Sequence, residues 1–156
     1  MPRPLLHVLI LVLATVLVYG NSLENGFHLD DAFRVQNNSG VEEFWPPWRH
    51  FSDPTTSSSL KRIVQYRPLL PLSLSINHAI AGHSVVGYHI GNILLQILAS
   101  LALYFLAREL LTHWAKVQQP ALAALAVAGL FAVHPVSGIV VNYICSRDLA
   151  MMQMFL

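Results

Sequence analysis

Two adjacent carboxylates, Asp30 and Asp31, follow an apolar amino-terminal stretch by about ten residues. A carboxylate beside a second one, at the edge of a low-dielectric layer, is suited to act as a general base. The same pair in a water-exposed loop is otherwise merely solvated. In extended backbone, alternating side chains would let one aspartate face a substrate while the other holds structure or contacts Arg34. A second group with chemical potential is Tyr66-Arg67-Pro68, a guanidinium immediately before a helix-starting proline. Backbone amides and a guanidinium placed so can receive a phosphate, or the arginine can anchor the helix to lipid headgroups. His134 and Arg147 lie further on, with Arg147-Asp148 reading most simply as a charge pair at a helix end. The spacings of His78, His83, His89 and His134 match no zinc pattern, so no metal site is expected, although a divalent-metal requirement stays open. No Gly-rich phosphate loop, His-Glu-x-x-His motif or internal repeat occurs, and Asn37-Asn-Ser39 matches the N-glycosylation sequon.

The composition says what must hold these groups in place. The 156 residues are 54% hydrophobic and only 11% charged, with a mean hydropathy of +0.52. Soluble domains carry about a quarter charged residues, so this is a membrane-class chain. A formal net charge of +1 supplies no field for a nucleic-acid partner. Charge is segregated: 11 of the 17 Asp, Glu, Lys and Arg residues lie between Glu24 and Arg67. The single cysteine, Cys145, excludes an internal disulfide and reads as packing.

The expected fold is all-α and integral to a membrane, with about three transmembrane helices, a long extracytoplasmic loop and a short interfacial helix. The spans are placed at about 4–22, 86–107 and 118–137, and a further apolar run starts at 149–156. A signal peptide is the competing reading of the first run, with Arg3 as its basic region; further apolar segments favour an uncleaved span. Asn25-Gly26 marks a turn just before the carboxylates. Pro68–Ala81 is too short to cross and fits an interfacial or re-entrant helix. His89 and Asn92 share one helical face, which should point into protein rather than lipid. Arg108 to Gln119 reads as a polar turn, and the small residues after Pro120 suit close helix packing. Trp45-Pro-Pro-Trp48 is an aromatic turn for the membrane interface.

Basic residues at Arg3, Arg108 and Lys116 favour the cytoplasmic side. Three spans then place the loop 21–84 and the segment 134–147 together outside. Asp30, Arg67, His134 and Arg147 would share one face of the membrane.

Five motifs in series carry a family resemblance: Tyr19-Gly-Asn-Ser-Leu-x-Asn-Gly-Phe-x-x-Asp-Asp31, Tyr66-Arg-Pro-Leu-x-x-Leu-Ser73, Asn77-His-x-x-x-Gly82, Gly87-Tyr-His-x-x-Asn-x-Leu-Leu95 and Phe131-Ala-x-His-Pro135. The chain resembles the N-terminal membrane region of the transmembrane and tetratricopeptide-repeat O-mannosyltransferases and their bacterial relatives, glycosyltransferases of the GT-C class. The resemblance implies a polytopic enzyme that moves sugar from a polyprenyl- or dolichyl-phosphate carrier to an extracytoplasmic protein or glycan acceptor. It implies residence in the bacterial inner membrane or, in a eukaryote, the endoplasmic reticulum membrane. An acidic residue of the first external loop is the base in that class, which points to Asp30 or Asp31, with Asp30 preferred. Arg67 would stabilise the departing phosphate, with Tyr66, His134 and Arg147 as further substrate contacts.

Two departures stand out. Ile139 occupies the position of a frequent family glutamate, and Ser146-Arg147 stands in place of a Gly-Arg pair. The chain reads as the N-terminal part of a larger helical module, expected to be inactive or weakly stable alone. Alternatives with the same residues are a noncatalytic anchoring or assembly module, or a transporter or lipid-handling fragment in which the acidic pair binds a proton or cation.

Overall fold

A computed structural model describes residues 3–155; the last residue of the run 149–156, Leu156, lies outside the described residues. Every regular element among them is helical. The long elements are α1 (Arg3–Tyr19), α5 (Val85–His113) and α6 (Pro120–Val133). Between α1 and α5 come two single-turn helices, α2 (Ser39–Glu42) and α3 (Arg49–Ser52), and then α4 (Leu69–Ala81). The chain closes with α7 (Ser137–Asn142) and α8 (Arg147–Phe155).

Helices α1, α5 and α6 pack into a bundle whose register follows from three contacts. His7 Nδ1 meets the Tyr104 hydroxyl at 2.9 Å, so the start of α1 lies beside the far end of α5. At the other end the Tyr19 hydroxyl donates to the His134 carbonyl at 2.9 Å, and Tyr19 packs with Ile93. Thus α1 runs antiparallel to α5 and parallel to α6. Ala124, Ala128 and Ala132, fully buried one turn apart, form the close-packed seam of α6 against Leu11 and Tyr104.

Among the described residues, two helical stretches are long and apolar enough to cross a membrane: Pro4–Glu24, where α1 continues into a 3₁₀ turn over Gly20–Glu24, and α5. The expected third span, 118–137, is not one helix. Its helix stops at Val133, because proline at 135 forces His134 out of helical geometry, with φ −66° and ψ 133°. The 14 residues of α6 rise only about 21 Å. The second span is longer than its expected 86–107. Arg108–His113, read as a polar turn, stays helical, with Glu109 and His113 paired one turn apart at 3.0 Å.

Burial in the bundle is inverted. Along α5 the side chains at Tyr88, His89, Asn92, Gln96 and Ser100 are sequestered, while Ile90, Leu94 and Leu98 face outward. Leu13 and Leu17 of α1 do the same. That pattern fits an apolar solvent outside and polar contacts within. It also places His89 and Asn92 inward, as their spacing predicts.

The connection from Gly20 to Pro68 folds over the Tyr19/Tyr88 end of the bundle. Its core is Val35 and Val41, packed with Leu70, Leu74, Tyr88 and Ile144. Gly40 permits the close approach of α2 to the following turn, since a Cβ there would fall 2.6 Å from the Thr56 backbone. Trp45 and Trp48 stay exposed, edge to face at 5.6 Å.

Candidate functional site

The two aspartates end up in different environments, and the local backbone explains why. The turn expected at Asn25-Gly26 falls three residues later. Asn25 is extended, with φ −74° and ψ 152°. The chain instead reverses at His28–Asp31, where Leu29 takes a φ of 44° and the Asp31 N–H donates to the His28 carbonyl at 2.9 Å. Asp31 Oδ2 locks that turn by accepting the His28 N–H at 3.0 Å. Its Oδ1 accepts the Cys145 N–H at 2.9 Å, across 114 positions of sequence. Asp31 has no exposed surface. It ties the first loop to the segment before α8.

Asp30 faces the other way. Its side chain is half exposed, and its backbone N–H donates to the Tyr143 hydroxyl at 3.1 Å. The backbone here is a turn leading into a wide helical coil over Ala32–Gln36, not an extended strand. That geometry brings Arg34 one turn on from Asp30, with Nε 3.9 Å from Asp30 Oδ2.

Asp30 opens onto a cleft of about 420 Å³ that Arg34, Gln65, Arg67, Tyr143 and Asp148 also line. Arg67 Nη1 meets Asp148 Oδ2 at 2.7 Å. Arg67 and Asp148 also border a smaller apolar hollow of about 250 Å³ against Leu69, Leu70, Met151 and Met152. The ion pair therefore stands between a polar cleft and a greasy one. Burial pushes the Tyr143 phenol up from its usual pKa. It keeps its proton at neutral pH, which leaves it able to donate toward the cleft. Burial, reinforced by the Asp31 carboxylate, also pushes the Cys145 thiol well up, so it is no nucleophile.

Arg147 is not an end-of-helix partner for Asp148. It is almost wholly buried between α4 and α5, where Nε donates to Asn92 Oδ1 at 2.7 Å. Nη2 donates to the Tyr88 carbonyl at 2.8 Å and Nη1 to the Ser73 carbonyl at 3.1 Å. Gly91 makes room for it, since a Cβ there would lie 2.7 Å from Arg147 Nη2. Arg147 thus seats the first turn of α8, and with it Asp148 at the cleft wall. Asn92 completes the clamp by donating to the Val140 and Val141 carbonyls.

Of the residues named from sequence, Asp30 and Arg67 share the cleft, and Asp31 and Arg147 support it from behind. Tyr66 lies outside, exposed, with its hydroxyl donating to the Phe51 carbonyl at 3.1 Å. His134 is exposed at the end of α6, where its Nδ1 accepts the Val136 N–H at 3.2 Å. Sequence reasoning gave Arg34 only as a possible contact of one aspartate and Asp148 only as a partner of Arg147, and assigned neither to the site. The spacing of Asp30 and Arg34, one helical turn, was the available signal for Arg34. No group of three or more His, Cys, Asp or Glu side chains is placed to hold a metal ion among the described residues.

Fold and cleft together define a class: an all-helical chain of membrane character that presents two carboxylates and two guanidiniums in one cleft at an end of its long helices. Known proteins resemble the chain over most of its length. Protein O-mannosyl-transferase F38B6.6 of Caenorhabditis elegans is 31% identical over 152 residues, 96% of this chain and 21% of that protein. Protein O-mannosyl-transferase Tmtc2 of Drosophila melanogaster is 35% identical over 126 residues, 76% of this chain and 12% of that protein. Protein O-mannosyl-transferase TMTC4 of Mus musculus is 31% identical over 138 residues, 82% of this chain and 19% of that protein. Over most of its length the chain is therefore related to the TMTC protein O-mannosyl-transferases, as its motifs lead one to expect. It spans about a fifth or less of the length of these relatives. No protein-family model matches the chain, and no solved structure matches it significantly.

Proposed function

We propose that this chain is the N-terminal part of an inverting glycosyltransferase of the GT-C class, which takes sugar from a polyprenyl- or dolichyl-phosphate carrier. The supporting observation is the shared cleft: a solvent-accessible Asp30 carboxylate and the Arg67 guanidinium, beside an apolar hollow suited to a lipid chain. The relatives are named as protein O-mannosyl-transferases, which favours mannose and a protein acceptor. The loop 21–84 and the segment 134–147 lie on the extracytoplasmic side in this reading, and α1 and α5 cross the bilayer with the shorter α6 packed along them.

The acceptor hydroxyl loses its proton to the Asp30 carboxylate as its oxygen attacks the anomeric carbon. The bond from that carbon to the phosphate oxygen breaks, and the lipid phosphate leaves with the electron pair. Arg67 stabilises the charge that collects there. Phosphate is a good leaving group, so no strong general acid is required. Asp31 acts by holding the loop, not by touching substrate.

The test is sugar transfer from a lipid-phosphate carrier by the complete gene product, comparing wild type with Asp30→Asn and Arg67→Ala. Loss of turnover in Asp30→Asn, with the fold intact, supports the reading. Unchanged turnover in both variants overturns it.

A further inference from the structure

Arg34 is the one cleft cation for which the mechanism above has no use, and it is an unusual one. The residue is 7% exposed, yet no carboxylate holds it closely. Nε stands 3.9 Å from Asp30 Oδ2, and Nη2 reaches Gln65 Oε1 only at 3.5 Å. Nη1 is buried and has no hydrogen-bond partner among the described residues. A buried guanidinium with donors left over is costly, because its desolvation is not repaid by strong pairing. The arrangement is stabilised once an oxyanion enters the cleft and pairs with the guanidinium charge. Arg67, across the same cleft, already shows the geometry of such a contact, with a carboxylate oxygen of Asp148 at 2.7 Å. That side chain is nearly half exposed, so the pair is exchangeable rather than locked.

We propose that Arg34 and Arg67 form a two-guanidinium cradle for a phosphate group, in which Asp148 is a built-in competitor that occupies Arg67 until the phosphate displaces it. Entry of phosphate gives Arg34 the partner it lacks and moves Arg67 from Asp148 to the ligand. Asp30 lines the same cleft, with Arg34 Nε 3.9 Å from its Oδ2, so the cradle also fixes where the phosphate lies relative to the base. The phosphate could be free or carried on a lipid. The cradle rests on the proposed function only for the second case.

The experiment measures equilibrium binding to the full chain in phosphatidylcholine nanodiscs, using inorganic phosphate, a short polyprenyl phosphate and the matching neutral polyprenol. Variants are Arg34→Gln, Arg34→Lys and Asp148→Asn, each checked for native helicity and unfolding midpoint. Expected are polyprenyl phosphate binding weakened about ten- to a hundredfold in Arg34→Gln, by loss of charge-assisted hydrogen bonds. Arg34→Lys should recover part of it, through charge without the fork. Asp148→Asn should tighten binding by about two- to fivefold, because removing a competing surface carboxylate frees Arg67. A merely structural role for Asp148 would not produce that gain. Binding of polyprenyl phosphate that is equal in wild type and Arg34→Gln overturns the cradle and leaves the glycosyltransferase reading standing. Arg34-dependent binding of inorganic phosphate with none of polyprenyl phosphate supports the cradle and removes the lipid donor. No binding of either phosphate by wild type overturns the cradle. Asp148→Asn binding no tighter than wild type overturns the competitor role.

Discussion

Asp31 and Asp30 differ by one position in sequence, and the structure separates what each contributes. In Asp31→Asn the amide keeps one acceptor and turns an NH₂ toward a backbone N–H that formerly found a carboxylate oxygen. Both contacts of the carboxylate, His28 N–H at 3.0 Å and Cys145 N–H at 2.9 Å, belong to a residue with no exposed surface. One charge-assisted hydrogen bond is worth about 1.5–3 kcal/mol, and an N–H is left unpaired as well. The expected loss is therefore about 2–4 kcal/mol. Asp30→Asn removes only a half-exposed carboxylate 3.9 Å from its ionic partner, for which about 0–1 kcal/mol is expected. Reversible denaturation in mixed micelles, followed by tryptophan fluorescence, measures both. If Asp31→Asn unfolds like wild type, or Asp30→Asn loses as much stability as Asp31→Asn, the division into a tether and a free carboxylate is wrong.

Three further outcomes are expected. Gly91→Ala should destabilise the chain by about 1–3 kcal/mol, because the new methyl meets Asn77 Oδ1 and lies 2.7 Å from Arg147 Nη2; a change within about 0.5 kcal/mol would show that α8 is not seated on that face. Cys145 should resist maleimide at pH 8–9, where an ordinary thiol near pKa 8.5 is substantially thiolate. Its pKa is raised, so native reactivity stays low through that window and appears on unfolding; rapid native labelling would contradict the burial. In a Cys145→Ser background, single cysteines at Ser39 and Thr112 should label from opposite sides of a sealed membrane, and labelling of both from one side would overturn the proposed topology.

Much of this was legible from local pattern. The inward face of α5 follows from polar residues at helical spacing, and the alanine seam of α6 from small residues one turn apart. Asp30 and Arg67 converge because the loop 20–68 folds over one end of the bundle. What failed to show was partner choice. Arg147 and Asp148 are neighbours in sequence and read as a pair, but one faces Asn92 across the core and the other Arg67 across the cleft. Arg34, expected at most as a contact of one aspartate, was not assigned to the cleft for a similar reason. An extended loop would have left it about 13 Å along the chain from Asp30, and only the coil after the His28–Asp31 turn brings it near. The turn itself moved because the Asp31 carboxylate captures the His28 N–H, a contact stronger than the preference of Asn-Gly for bending.

The hydrogen bond from Cys145 to Asp31 has a consequence in time as well as in space. A ribosome delivers Asp31 more than a hundred residues before Cys145, the 114 positions that separate the two bonded groups. Through that interval the early loop lacks one of the contacts that orient it, and the Asp30 cleft has no far wall. The site cannot be inherited from the first helix and its loop, however soon they fold. It is assembled late, when the segment after α6 returns to close a gap left open since the start of synthesis.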